Sequence, residues 1–183
     1  MPRIGVLVSS VALILLGRAP LPAPLVAQVT PQGSDLSVSG SGLDQRRPVA
    51  ASSLTGNLRV VAWPRHTAAT LWEVYARLYD GGGSPLAAEF LVSSGTTSCE
   101  RRPAVAMDDA GNFVIAWESD GGGNGKDVLV RRYNSAGAPL AAATVVNTTL
   151  AGDQEGPAIA RAPDGRFAVA WQSSSQDGSG WGI

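Results

Sequence analysis

Asp120, Asn124 and Asp127 place oxygen side chains at the first, fifth and eighth positions of the glycine-rich run Asp-Gly-Gly-Gly-Asn-Gly-Lys-Asp. Such donors suit a hard cation such as Ca²⁺. The run matches no strict calcium loop: it has no acidic residue at its third position, and Lys126 brings a positive charge inside. A plain hairpin loop is the competing reading, for this run and for Gln176-Asp177-Gly178-Ser179-Gly180. Trp72 and Trp181 flank loops and are the candidate aromatic platforms for a ligand such as a sugar. Only His66 could supply an imidazole for nucleophilic or acid/base catalysis, and no Gly-x-Ser-x-Gly elbow occurs. Glycoside cleavage needs two carboxylates facing one another. Glu73, Glu89, Glu100, Glu118 and Glu155 are the glutamates available. No catalytic residue is assigned.

Composition bounds what can hold these groups. The 183 residues include 14 Lys+Arg, 15 Asp+Glu, one His and one Cys. A disulfide framework within the chain, a Cys/His metal cluster and a basic footprint for nucleic acid are all excluded. Gly and Pro number 22 and 12, yet 44% of the chain is hydrophobic, which fits a turn-rich all-β protein and not a disordered linker.

The first 27 residues read as a signal peptide: Arg3, an apolar run from Ile4 to Leu16, then Leu25-Val26-Ala27 ending in a small residue. The run is shorter than the ~20 apolar residues that span a bilayer, so a permanent anchor is the weaker reading. Cleavage after Ala27 leaves 12 basic and 15 acidic residues, a net charge of −3. The expectation is a secreted or cell-surface chain with no membrane span once cleaved. A lone Cys99 agrees with so exposed a destination only if it is buried or paired between chains.

Behind a linker, 28–35, lies a repeat. Trp63, Trp117 and Trp171 are spaced by 54, and the same offset carries Tyr79 to Tyr133, Pro85-Leu86-Ala87-Ala88 to Pro139-Leu140-Ala141-Ala142, and Pro103 to Pro157. Residues 63–116 and 117–170 agree at 16 of 54 positions without a gap. That is duplication. At an offset of 55, Leu36, Ser39, Gly40, Arg46-Arg47-Pro48 and Ala51 match Leu91, Ser94, Gly95, Arg101-Arg102-Pro103 and Ala106, so a bulge or a longer turn must absorb one residue before Trp63. The organisation is a partial unit 36–62, units 63–116 and 117–170, and a truncated unit 171–183.

Within a unit the apolar runs are five to seven residues long, as strands are, and end at Gly, Asp or Pro. The middle copy predicts strands over Pro103 to Met107, Asn112 to Glu118, Asp127 to Tyr133 and Ala143 to Asn147. In the second, Phe113, Ile115 and Trp117 oppose Val114 and Ala116, so both faces should be covered; Phe167, Val169 and Trp171 against Ala168 and Ala170 predict the same for copy three. The first strand is built of small residues, as at a crowded centre. Four-stranded antiparallel sheets of about 54 residues, stacked face to face, describe β-propeller-like blades, with a linear stack or a two-unit sandwich as competitors. Propellers need about four to eight blades. Fewer than three are here, so the expectation is an incomplete propeller, a fragment needing further repeats or chains to close a ring.

The three Trp residues at strand ends should pack between sheets, each indole N–H bonded to a loop acceptor. Arg77 and Arg131, each two residues before a Tyr, should stack on it. Arg46-Arg47 and Arg101-Arg102 form basic pairs that Glu155-Gly156 interrupts in copy three, so no basic stripe runs across the repeats.

Gly-Asn-Phe-Val-Ile-Ala-Trp-Glu-Ser (111–119), Gly-Arg-Phe-Ala-Val-Ala-Trp-Gln-Ser (165–173), Val-Val-Asn-Thr-Thr-Leu-Ala-Gly-Asp-Gln (145–154) and Gln-Asp-Gly-Ser-Gly-Trp-Gly-Ile (176–183) resemble a repeat of large secreted or surface proteins of bacteria. The resemblance covers nearly all of 36–183 and specifies a structural unit, not a chemistry. It implies many more copies, beside adhesion-type or calcium-binding modules. Copy one has Pro64-Arg65-His66 where the others have Glu118-Ser119-Asp120 and Gln172-Ser173-Ser174, so the resemblance implies no ligand role for that loop. The expected function is an exported scaffold and binding module, holding loops 64–72, 120–126 and 174–180 at one rim for a glycan, a surface protein or a cation. The alternative is a fragment of a propeller-fold hydrolase acting on glycans, which clustering of Glu118 with another carboxylate across a cleft would favour.

Overall fold

The computed structural model describes residues 37–39, 42–55, 57–68, 71–93, 98–174, 176 and 178–183. The signal segment 1–27, the linker 28–35 and Asp177 lie outside them. The chain divides into two units, Met1–Val38 and Ser39–Ile183, and the described strands all belong to the second.

Every regular element among the described residues is a strand. β1 (Val49–Ser52), β2 (Leu58–Ala68), β3 (Leu71–Asp80) and β4 (Phe90–Leu91) form one sheet in chain order. β5 (Glu100–Met107), β6 (Phe113–Ser119), β7 (Asp127–Tyr133) and β8 (Thr144–Val145) form a second, and β9 (Gln154–Arg161), β10 (Phe167–Ser174) and β11 (Trp181–Gly182) a third. All neighbours are antiparallel. Each sheet is therefore a meander, and the end where its second strand turns into its third is also the end where its first strand begins.

The turns repeat with the strands. Asp80 Oδ1 accepts from the Gly82 and Ser84 amides, and Asn134 Oδ1, 54 residues on, accepts from those of Ala136 and Ala138. A short polar side chain that bonds its own backbone fixes such a turn. Gly83 and Gly137 follow at φ 89° and 81°, where a side chain would be strained. The one-residue offset before Trp63 is taken up by a longer turn: Ser53 N–H donates to Leu58 O, whereas Asp108 N–H donates to Asn112 O. The first strands of the second and third sheets carry a bulge at one place, between Arg101 and Ala104 and between Glu155 and Ala158.

The core lies between the first and second sheets. Val60, Ala62, Val74, Ala76 and Leu78 meet Phe113, Ile115, Trp117 and Tyr133, all buried. Burying a large apolar side chain contributes roughly 1.5–3 kcal/mol. Phe113 and Tyr133 stack at 4.9 Å between centroids, and Phe90 of the first sheet lies 5.6 Å from the Tyr133 ring. All seven residues of β6 are buried, as its two apolar faces require. In β10 the outcome differs: Ala168 and Ala170 are exposed, because no described sheet lies on their face, and Phe167, on the other face, is 36% exposed.

Candidate functional site

Trp63 and Trp117 are 2% and 1% exposed and Trp171 is half-buried, so these residues are packing elements. The Trp117 indole donates to Glu100 Oε2 at 2.5 Å and that of Trp171 to Gln154 Oε1 at 3.1 Å. These acceptors are the first residues of β5 and β9, not loop residues. Trp63 Nε1 is buried and has no partner among the described residues. Arg77 and Arg131 stand over Tyr79 and Tyr133 at 5.9 Å and donate to the Ala87 and Ala141 carbonyls. Arg131 also donates to Val92 O at 3.3 Å, tying the second sheet to the first. These repeated arginines are structural, as their stacking positions suggest.

The three residues read as cation ligands are engaged separately. Asp120 is exposed, and its Oδ1 accepts from the Cys99 amide. Asp127 is buried, and its Oδ1 accepts from Asn147 Nδ2 at 2.7 Å. Asn124 is exposed and its backbone carbonyl accepts from the Gly152 amide. Among the described residues no group of three His, Cys, Asp or Glu could hold a metal ion.

The carboxylates cluster where the second and third sheets meet. Arg102 Nη1 lies 3.0 Å from both Glu118 Oε1 and Glu155 Oε2. Glu118 Oε1 also accepts from the Gly156 amide at 2.6 Å, and Lys126 pairs with Glu155 and, at 4.0 Å, with Asp153. The Lys126 ammonium and then the Arg102 guanidinium hold the Glu155 carboxyl below its ordinary range, while the same contact raises Lys126. Glu118 thus does meet another carboxylate, close enough to share one nitrogen. A general acid must carry a proton at working pH. Cations that keep Glu155 ionised oppose that role and suit a clamp between sheets. A buried pair, Arg161 to Asp108 at 2.7 Å, reinforces the same junction. These pairings were hidden in the sequence because Arg102 reads as one half of a basic doublet; its 53-residue separation from Glu155, nearly one repeat, was the available signal.

Trp181 is 53% exposed at β11. Trp72 is half-buried, opposite His66 across β2 and β3, with ring centroids 5.0 Å apart. Arg46 and Arg101, before β1 and within β5, approach the Trp72 ring to 5.5 and 5.9 Å. Sequence reasoning places Trp72 beside a loop but misses these arginines, which the offset of 55 between them could have disclosed.

Stacked antiparallel meanders, two of four strands and one of three, with small-residue first strands define a β-propeller-like protein. Among solved structures the chain is similar to the endo-arabinase from Bacteroides thetaiotaomicron VPI-5482, with a TM-score of 0.50 and 17% identity over 79% of this chain and 56% of that one. It spans a little over half the length of that enzyme, and the likeness shows the fold alone. No family model and no curated protein matches the chain.

Proposed function

We propose that the chain is an exported repeat scaffold that presents the loops of adjacent sheets at one rim for binding at the cell surface or outside the cell. The observation that carries this is how firmly the rim loops are tied to their own sheet and to its neighbour. The Cys99 amide donates to the Asp120 carboxylate and the Asp120 amide to Cys99 O; the Gly152 amide donates to Asn124 O, and the Gln154 amide to Lys126 O. Loops fixed in this way form a surface that needs little ordering when a ligand arrives. The resemblance to repeats of bacterial surface proteins and the signal-peptide layout support the same reading. Expression of the full chain with a C-terminal tag, followed by fractionation and N-terminal sequencing, tests it: the mature chain should leave the cytoplasm and begin at Gln28. Retention in the cytoplasm with Met1 intact would overturn it.

A second reading, a fragment of a glycan hydrolase, draws on the closeness of Glu118 and Glu155 and on the arabinase likeness. Their shared cations count against it.

A further inference from the structure

Trp72 and Arg101 meet at the junction of the first and second sheets. One repeat later, the residues at those positions are Lys126 and Glu155, and they meet at the junction of the second and third. The place in the fold is one; the charge is not. At the later junction the cation lies against two carboxylates, Glu155 and Asp153, and Arg102 is matched by Glu118. At the earlier one an indole takes the place of the ammonium and a guanidinium that of the carboxylate. Arg46 comes to the same ring from the start of the first sheet, with Asp44 as its partner at 2.7 Å. Arg101 makes no ion pair among the described residues; its guanidinium donates only to Cys99 Sγ, at 3.5 Å. Arg47, next to Arg46, has no ion pair either among those residues. Among the described residues the rim therefore carries cationic side chains around one aromatic ring with a single carboxylate paired to them; Arg46 and Arg101 are repeat equivalents, but the ring between them has no counterpart one repeat later, where Lys126 stands. The combination of an indole with a guanidinium that no carboxylate matches is found at this junction and not at the later one, so it is free to serve something besides packing.

We propose that this end of the junction binds a carboxylated sugar, with the acid group held between Arg46 and Arg101 and the apolar face of the ring against Trp72. Guanidinium groups engage carboxylates through paired donors, which gives both strength and orientation. An indole supplies a flat apolar surface at low entropic cost. The Arg46–Asp44 pair is exposed, and exposed pairs are worth little, so a second acid group can displace Asp44. A neutral sugar would leave the guanidinium groups unmatched. This inference deepens the binding-module reading and rests on it.

The probe is polygalacturonate, with fully methyl-esterified polygalacturonate, neutral arabinan and single-stranded DNA beside it. Retention of the purified mature chain on each is measured by affinity electrophoresis. Polygalacturonate should retard the chain and the other three should not. Arg101→Ala, at an exposed position, should weaken retention at least tenfold, and Trp72→Ala should weaken it as well. Because Trp72→Ala can loosen the β2–β3 hairpin, Arg101→Gln with an unaltered thermal melt provides the independent check and should reproduce the loss. Equal retention by the esterified polymer, tighter retention by DNA, no retention by polygalacturonate, or retention untouched in both Arg101 variants would each overturn the proposal. A chain that is exported yet ignores polygalacturonate sinks this site alone, whereas a chain that stays in the cytoplasm sinks the display reading.

Discussion

Arg102 and Gly156 stand 54 residues apart and share a left-handed backbone, at φ 46° and 61°, at the same bulge of successive sheets. Arg47, at the matching point of the first unit, has φ 45°. A left-handed conformation costs a residue with a Cβ roughly 1–2 kcal/mol. Glycine avoids that cost in copy three, and the arginines bear it. Arg102 offsets the strain by bridging Glu118 and Glu155, while Arg47 has no ion pair among the described residues to do so.

Arg47→Gly should therefore raise stability, by up to about 1 kcal/mol once the added freedom of the unfolded chain is counted. Arg102→Gly should lower it by about 2 kcal/mol, since the buried Glu118 loses its charged partner. Urea unfolding midpoints of the two variants should move in opposite directions.

Glu100 gathers three donors: the Trp117 indole and the hydroxyls of Ser98 and Ser119. Glu100→Ala strands all three in a buried site and should cost about 3 kcal/mol. Glu100→Gln, which installs the residue copy three has as Gln154, should cost under about 1.5 kcal/mol. Equal losses in the two variants, read from chemical denaturation, would mean that volume and not acceptance matters at this point.

Tyr133 and Glu155 are among the described groups that give stability a pH dependence. Burial raises the Tyr133 hydroxyl to about 12. The unfolded chain ionises near the ordinary value of about 10, so this contribution is complete below pH 10 and lost between about 10 and 12. Glu155 is the opposite case: its carboxyl is held low by Lys126 and Arg102, so its contribution is present above the ordinary carboxylate range and lost as pH falls through the lowered value. Tyr133→Phe should flatten the alkaline limb of the melting profile, and Glu155→Gln the acid limb.

Calcium should leave the melting temperature where chelator leaves it, because Asp120 and Asp127 already accept from Cys99 and Asn147. A stabilisation that rises with calcium concentration would restore the cation reading of 120–127.

Much of the fold was legible because a repeat states its own register. The strands of the middle copy lie within a few residues of their predicted bounds, since Phe113 to Glu118 can be read against Phe167 to Gln172, and the Arg–Tyr stacking follows from positions 77 and 131. What the repeat could not announce were contacts that differ between copies. Trp72 with Arg101, and Lys126 with Glu155, occupy one place but share no chemistry, so alignment by residue type passes over them. The exposure of Ala168 and Ala170 escapes for another reason: a strand's pattern records which faces are suited to burial, and a neighbour decides which face is covered.

Glu118 and Glu155 each pair across the second and third sheets, and the proposed scaffold reading expects them to act as a clamp without cleaving glycans. Reducing-end release from arabinan and polygalacturonate by the purified mature chain, measured with thermal melts of Glu118→Gln and Glu155→Gln, tests it most directly. No release, with both variants melting lower, is the result expected here. Release that vanishes in Glu118→Gln while the melting temperature stays put would contradict it.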